Sequence, residues 1–115
     1  QGLVQRAQMN AENNNIKNVS FHTADLFEQM DPQILRQRKV NKLLLDPPRS
    51  GAQAVVEQIE RIDPERIVYV SCHTATLARD AGILSHKGYR LVKAGVMDMF
   101  PHTMHVESMA VFIRN

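Results

Sequence analysis

Apolar positions along this chain switch between a spacing that suits a helix and one that suits a strand, and the switches lay out an order of elements. Val4, Ala7 and Ala11 recur at helical spacing, and the polar run Asn13-Asn14-Asn15, then Lys17-Asn18, ends that helix before a short strand at Val19–His22. Between Leu26 and Arg38 the pair Asp31-Pro32 predicts a helix that starts at Pro32, because proline fits a first helical turn and Asp31 can cap it. Val40–Leu45 has a β-branched entry and an apolar end, Leu43-Leu44-Leu45, which predicts a strand buried on both faces. It stops at Asp46-Pro47-Pro48-Arg49-Ser50-Gly51, a dense cluster of turn formers.

The second half repeats the alternation. Ala52, Val55, Val56, Ile59 and Ile62 form a helical stripe closed by Asp63-Pro64, and Ile67–Ser71 is the next buried strand. Thr76–Lys87 is a helix with Leu77, Ala81 and Leu84 inward and Gly88 as its natural stop. Two last strands, Tyr89–Met97 and Val106–Ile113, flank a polar segment and lack a helix between them. They should lie antiparallel to one another. The rest implies right-handed crossovers and a largely parallel, doubly wound α/β sheet.

In such sheets ligands bind beyond the carboxyl ends of the strands. The polar residues expected there are Asp25, Asp46 and Cys72, at successive strand ends on one rim. Cys72 faces the start of the helix near Thr74, where partial positive charge and free N–H groups favour a thiolate nucleophile. Free cysteine is also a common packing residue, and an acid such as Asp25 also serves as a helix N-cap.

Composition narrows the setting more than the chemistry. A length of 115 residues, with 43% hydrophobic and 23% charged, fits one globular domain and not a disordered tail. The net charge of +2 is spread along the chain, so charge alone argues little for a nucleic-acid partner. One cysteine excludes an intramolecular disulfide. With no secretory pattern and no long apolar run, the expectation is a reducing, cytoplasmic setting without a membrane. The start at Gln1, straight into a helical pattern, suggests a piece of something longer.

Four motifs carry a resemblance that covers essentially the whole chain. Leu43-Leu44-Leu45-Asp46-Pro47-Pro48-Arg49-Ser50-Gly51-Ala52 is followed by Ile67-Val68-Tyr69-Val70-Ser71-Cys72 and by Ala75-Thr76-Leu77-Ala78-Arg79-Asp80. Last come Asp98-Met99-Phe100-Pro101-His102-Thr103 and His105-Val106-Glu107. In this order they closely resemble the RNA (uracil-C5)-methyltransferases that use S-adenosylmethionine, above all those acting on large-subunit ribosomal RNA. The transfer-RNA members share the same motifs. The resemblance implies an incomplete Rossmann-like methyltransferase fold, the C-terminal part of the catalytic domain. The glycine-rich cofactor loop, the strand with the ribose-binding acid, the N-terminal RNA-binding domain and the cysteines of any iron–sulfur cluster have no counterpart in this sequence.

The mechanism implied is covalent. A thiolate adds to uracil C6 so that C5 can take the methyl group, and Cys72 matches that nucleophile. The remaining C5 proton must then leave, and Glu107 matches the base; a carboxylate in a partly dry site is suited to that task. Asp46 matches the acid of the family's Asp-Pro turn against cofactor and target base, and Asp25 the acid at the adenine end of the cofactor. The proline pair stiffens that turn, which helps hold an edge for a flipped base. His73-Thr74 stands where the family often has Asn-Pro, and Pro48 where alanine is more usual. The implied partner is RNA. The chain by itself is expected to be inactive, to bind the cofactor weakly and to be able to self-associate through an exposed strand edge.

Two other classes stand beside this one. Cys72, His73, His102, His105 and Glu107 could be read as a metal site, but they lack the spaced Cys/His pattern of a zinc site, and the expectation is no metal. A non-catalytic α/β module is the other, with Met97, Met99, Met104 and Met109 as core fillers.

Overall fold

The computed structural model describes residues 2–26, 28 and 39–115. Helix α1, Gly2–Asn13, ends where the polar run predicts, with Asn15 in the left-handed region at φ 56° and the Ile16 N–H bonded to the Ala11 carbonyl. Val19–His22 does not form the expected strand. A strand exists only beside a partner, and none of the described strands pairs with this segment. Ile16, Val19 and Phe21 instead line one shallow cavity with Ala7 and Ala11 of α1. The helix expected from Pro32, with its Asp31 cap, lies outside the described residues.

Four strands make one sheet. They are β1, Lys42–Leu45; β2, Arg66–Ser71; β3, Tyr89–Met97; and β4, Glu107–Arg114, in the spatial order β1-β2-β4-β3. β1 and β2 are parallel, with Leu43 opposite Ile67 and Leu45 opposite Tyr69. β4 slots between β2 and β3 and runs antiparallel to both. The last two strands are thus antiparallel as expected, but the sheet is not largely parallel among the described residues, because β4 takes the place beside β2. Residues skip register between Leu91 and Lys93, a bulge that bends β3.

Helices cover one face. The stripe from Ala52 to Ile62 splits into α2, Gln53–Glu57, and α3, Ile59–Ile62, at Gln58, whose N–H bonds three residues back to Val55. Asp63 then closes α3 at φ 51°. Helix α4, Thr74–His86, is followed by Gly88 at φ 89°, the left-handed turn predicted from its place. Leu45, Ile67, Tyr69, Ala110 and Phe112 from the strands meet Val55, Val56, Ile59 and Leu84 from these helices in a single core. Tyr89 joins it with its hydroxyl donating to the Pro64 carbonyl at 2.6 Å.

Among the described residues the opposite face is open. Strand side chains alternate, so Leu44, in register with Val68, points away from the helices and is 68% exposed. The expectation that this strand is buried on both faces fails in this chain: α2, α3 and α4 all contribute to the core on the other face.

Candidate active site at the strand ends

β1 and β2 run in the same direction, so Asp46 and Cys72 leave the sheet on one rim. Asp46 opens the turn that ends at Gly51, where φ is 80° and the N–H closes on the Pro48 carbonyl at 2.9 Å. The turn is fastened to α4 at three points. Thr76 Oγ1 donates to the Arg49 carbonyl at 2.9 Å, Arg79 Nη2 to the Ser50 carbonyl at 2.8 Å, and the Ala52 N–H to Asp80 Oδ2 at 2.8 Å.

Asp80 is the centre of this fastening. Its side chain is wholly buried, and it accepts from the Ala52 N–H, the Tyr69 hydroxyl and Arg79 Nε, with Arg79 Nη2 also 2.9 Å from Oδ1. Burial, and next the bond to Asp80, hold the Tyr69 phenol well above its ordinary range. Gly51 lies so close that an added Cβ would fall 2.6 Å from Arg79 Nη2 and 2.7 Å from Asp80 Oδ2. No other residue fits there without displacing the pair.

Cys72 sits in a tight bend between β2 and α4. The buried Ser71 hydroxyl donates to the His73 carbonyl at 2.8 Å and accepts from the His73 N–H at 3.0 Å, spanning the cysteine with two bonds. His73 in turn caps α4, its Nδ1 accepting from the Thr76 N–H at 3.4 Å. A histidine can therefore serve as cap at the place where the resemblance leads one to expect asparagine. The thiol itself is half-buried and lines a cleft of about 540 Å³ with Arg49, His73, Thr74, Met104 and His105.

Glu107 is the first residue of β4. Ser71 pairs with Ser108, and one further step of that antiparallel register sets Cys72 opposite Glu107. Glu107 is half-buried and does not line the thiol cleft. Asp25 and Asp46 line a second cavity of about 640 Å³, whose other walls include Leu44, Pro47, Pro48 and Val55. Two carboxylates on an otherwise apolar wall suit a ligand with an aromatic ring and several N–H or O–H donors. Three of the four residues singled out in the sequence, Asp25, Asp46 and Cys72, thus fall into two neighbouring recesses, which the turn after β1 separates: Asp46, Pro47 and Pro48 face one, and Arg49 faces the other, while Glu107 lines neither.

Asp80 was missed as a site residue, although it stands three positions after Leu77 and four before Leu84, on the inward stripe of α4. An acid on that stripe is a signal. Ser71 and Arg49 gave none beyond their neighbours. Among the described residues no three His, Cys, Asp or Glu side chains gather as a metal ion requires, and no helix is long and apolar enough to cross a membrane.

Comparison with known proteins adds relationship to geometry. The family described as tRNA (Uracil-5-)-methyltransferase matches residues 1–115. The chain is 62% identical over 112 residues to the 23S rRNA (uracil(1939)-C(5))-methyltransferase RlmD of Francisella tularensis subsp. novicida. It is 59% identical over 111 residues to the protein of the same name from Legionella pneumophila. Each alignment takes in 96% of this chain and 25% of the relative, so the chain spans a quarter of the length of these curated relatives. Among solved structures, the S-adenosyl-L-methionine complex of Streptococcus pneumoniae Sp1610 superposes on all of this chain and 51% of its own, with TM-score 0.71 at 15% identity. M. jannaschii TYW2, solved with AdoMet, covers 97% of this chain and 53% of its own, with TM-score 0.58 at 14% identity. At such identities the likeness establishes the fold, an incomplete Rossmann-like methyltransferase sheet.

Proposed function

This chain belongs to the tRNA (uracil-5-)-methyltransferase family, and from that premise we propose that it is the C-terminal part of the catalytic domain of an enzyme that methylates uracil C5 in 23S ribosomal RNA. Ribosomal RNA is favoured over transfer RNA by the names of the relatives at 59% and 62% identity. The observation that carries the reading is the shared wall: one turn separates a cavity with two carboxylates from a cleft with a thiol.

S-adenosylmethionine, held in the cavity by Asp25 and Asp46, would supply an electrophilic methyl group. Every other step falls to residues of this chain and to the uracil. The Cys72 thiolate adds to C6 of the ring, forming the S–C6 bond and moving the π electron pair of the C5=C6 double bond onto C5. C5 becomes nucleophilic and takes the methyl group. Glu107 then removes the proton left on C5, its electron pair restores the C5=C6 double bond, and the thiolate departs from C6 with the electrons of the S–C6 bond. Arg49, at the mouth of the thiol cleft, is placed for a phosphate or a carbonyl of the RNA. The cleft suits a base presented out of its stack, since a base within a helix cannot reach a thiol at the foot of a bend.

An iron–sulfur cluster, if the whole protein holds one, draws no ligand set from this chain, whose one cysteine is already committed to the nucleophile. The lone thiol also favours a reducing cytoplasm as the place of work.

The test uses the full-length protein that carries this chain. Cys72→Ala should abolish both methyl transfer and the covalent adduct with 5-fluorouridine RNA. Glu107→Gln should keep the first steps and lose the last, so that RNA accumulates on the protein as a covalent complex. An adduct that persists in the alanine variant, or ordinary turnover in the glutamine variant, would remove the assignment.

A further inference from the structure

The reaction proposed above needs Cys72 and the cofactor cavity in a fixed relation. The supports of both converge on α4. The Cys72 bend runs straight into its first turn through the His73 cap, and the segment that begins at Asp46 is bonded to Thr76 in that same turn and to Arg79 and Asp80 one turn further along. Of these three, Thr76 and Arg79 offer flexible or partly exposed donors. Asp80 alone is wholly buried and acts through two separate elements at once, the Ala52 N–H of the turn and the Tyr69 hydroxyl of β2.

Resting on that reading, we infer that Asp80 is the positioning residue of the site. By joining β2, the turn after β1 and α4 at one carboxylate, it sets the distance between the cofactor cavity and the nucleophile. Its charge is part of the device. A buried carboxylate is costly unless donors surround it, and here Arg79 balances the charge while its Nη2 spans to the Ser50 carbonyl. The pair therefore holds the turn both through Asp80 and through Arg79. Gly51 completes the fit, because the absence of a side chain lets the turn come down onto the two.

Three properties separate this role from a general contribution to the core. The anchored turn lines both recesses, so its displacement changes cofactor affinity and catalysis together. The contact can be disturbed from either side, at Asp80 or at Gly51. And Tyr69→Phe, which deletes one donor but leaves Ala52 and Arg79 in place, should produce a milder version of the same defect.

The experiment uses the full-length protein with 23S ribosomal RNA transcripts and S-adenosylmethionine, comparing wild type, Asp80→Asn, Gly51→Ala and Tyr69→Phe. Rates are normalised to the fraction of molecules that form the 5-fluorouridine RNA adduct, which removes unfolded protein from the count. Asparagine keeps the shape of the aspartate but loses the ion pair, and it turns an amide N–H₂ or a single carbonyl toward donors. In Asp80→Asn and Gly51→Ala, KM for S-adenosylmethionine should rise and kcat should fall, with kcat/KM reduced on the order of 10- to 100-fold, the scale of a misplaced reacting pair. Tyr69→Phe should lie between them and wild type. Amide hydrogen exchange gives a readout independent of the chemistry: the Ala52 N–H should exchange about tenfold faster or more in Asp80→Asn, as expected for loss of one hydrogen bond to a charged group. A lowered melting temperature with wild-type KM and kcat per adduct-forming molecule would overturn the inference, and so would unchanged exchange at Ala52. If wild-type protein forms no adduct, the covalent uracil reading fails by itself, and the exchange measurement alone then decides whether Asp80 holds the turn.

Discussion

A tyrosine and an aspartate buried together have a consequence at alkaline pH. Tyr69 is held above its ordinary range by burial first and by its bond to Asp80 second, and Tyr89 is raised by burial as well. The folded state thus keeps phenolic protons that the unfolded chain releases near pH 10, the ordinary tyrosine value. Stability from these groups is complete below about pH 10 and is lost as pH climbs above it. Melting temperature followed from pH 8 to 11 should fall on the alkaline side. In Tyr69→Phe that fall should be shallower, with Tyr89 sustaining the remainder. The same variant should be less stable at neutral pH by about 1.5–3 kcal/mol, the loss of a hydrogen bond to a charged acceptor. An alkaline limb as steep as that of the wild type would count against Tyr69 as its source.

Elements in this chain were legible in proportion to how much of their cause lies within them. α4 has its apolar stripe, its cap and Gly88 in one stretch of sequence, and β2 has its unbroken run of β-branched and aromatic residues. Both formed where expected, within about two residues at the ends. Val19–His22 has strand-like composition, yet pairing needs another strand, and a composition says nothing of a partner; its apolar side chains went to α1 instead. The break at Gln58 was equally invisible, because the buried stripe runs through it unchanged. At the candidate site, Asp25, Asp46 and Cys72 were singled out by their expected places at strand ends and Glu107 by the family resemblance alone, while Asp80 was passed over because acids in helices usually face water. The short bend around Cys72 is the element where this can be tested. Ser71→Ala removes both bonds that span the cysteine, and no bond to the turn after β1. In the full-length protein it should slow formation of the 5-fluorouridine adduct and leave the affinity for S-adenosylmethionine unchanged. Weakened cofactor binding in that variant would mean that the bend and the turn are not separable.

At the scale of the whole molecule, the sheet has one face covered and one open among the described residues. Its radius of gyration is 15.4 Å, above the about 13 Å of a compact chain near this size. Leu44 at 68% exposure and Met109 at 38% lie on the open face, and β1 has β2 as its sole partner among the described strands. An open strand edge beside exposed apolar side chains favours pairing with a second copy. Light scattering on the isolated chain should show mass growing with concentration, and Leu44→Lys should reduce that growth. A monodisperse monomer at all concentrations would defeat this. The same isolated chain should bind S-adenosylmethionine weakly or not at all in a calorimetric titration, since on the proposed reading Asp25 and Asp46 furnish only part of a cofactor site and the sequence has no Gly-x-Gly turn to cradle the rest. Affinity in the low micromolar range would show that the missing portion matters less.

The turn from Asp46 to Gly51 has one more consequence. Because its two sides belong to two recesses, the occupants of those recesses are thermodynamically linked: a ligand that settles the turn from one side alters the affinity felt on the other. Such linkage is reciprocal, so whatever factor one occupant confers on the binding of the other, the other returns. A substitution that shifts the backbone of the turn is therefore felt in both recesses. Selection on this stretch acts on the pair, and a change that sharpens the grip on one partner carries a change in the grip on the other.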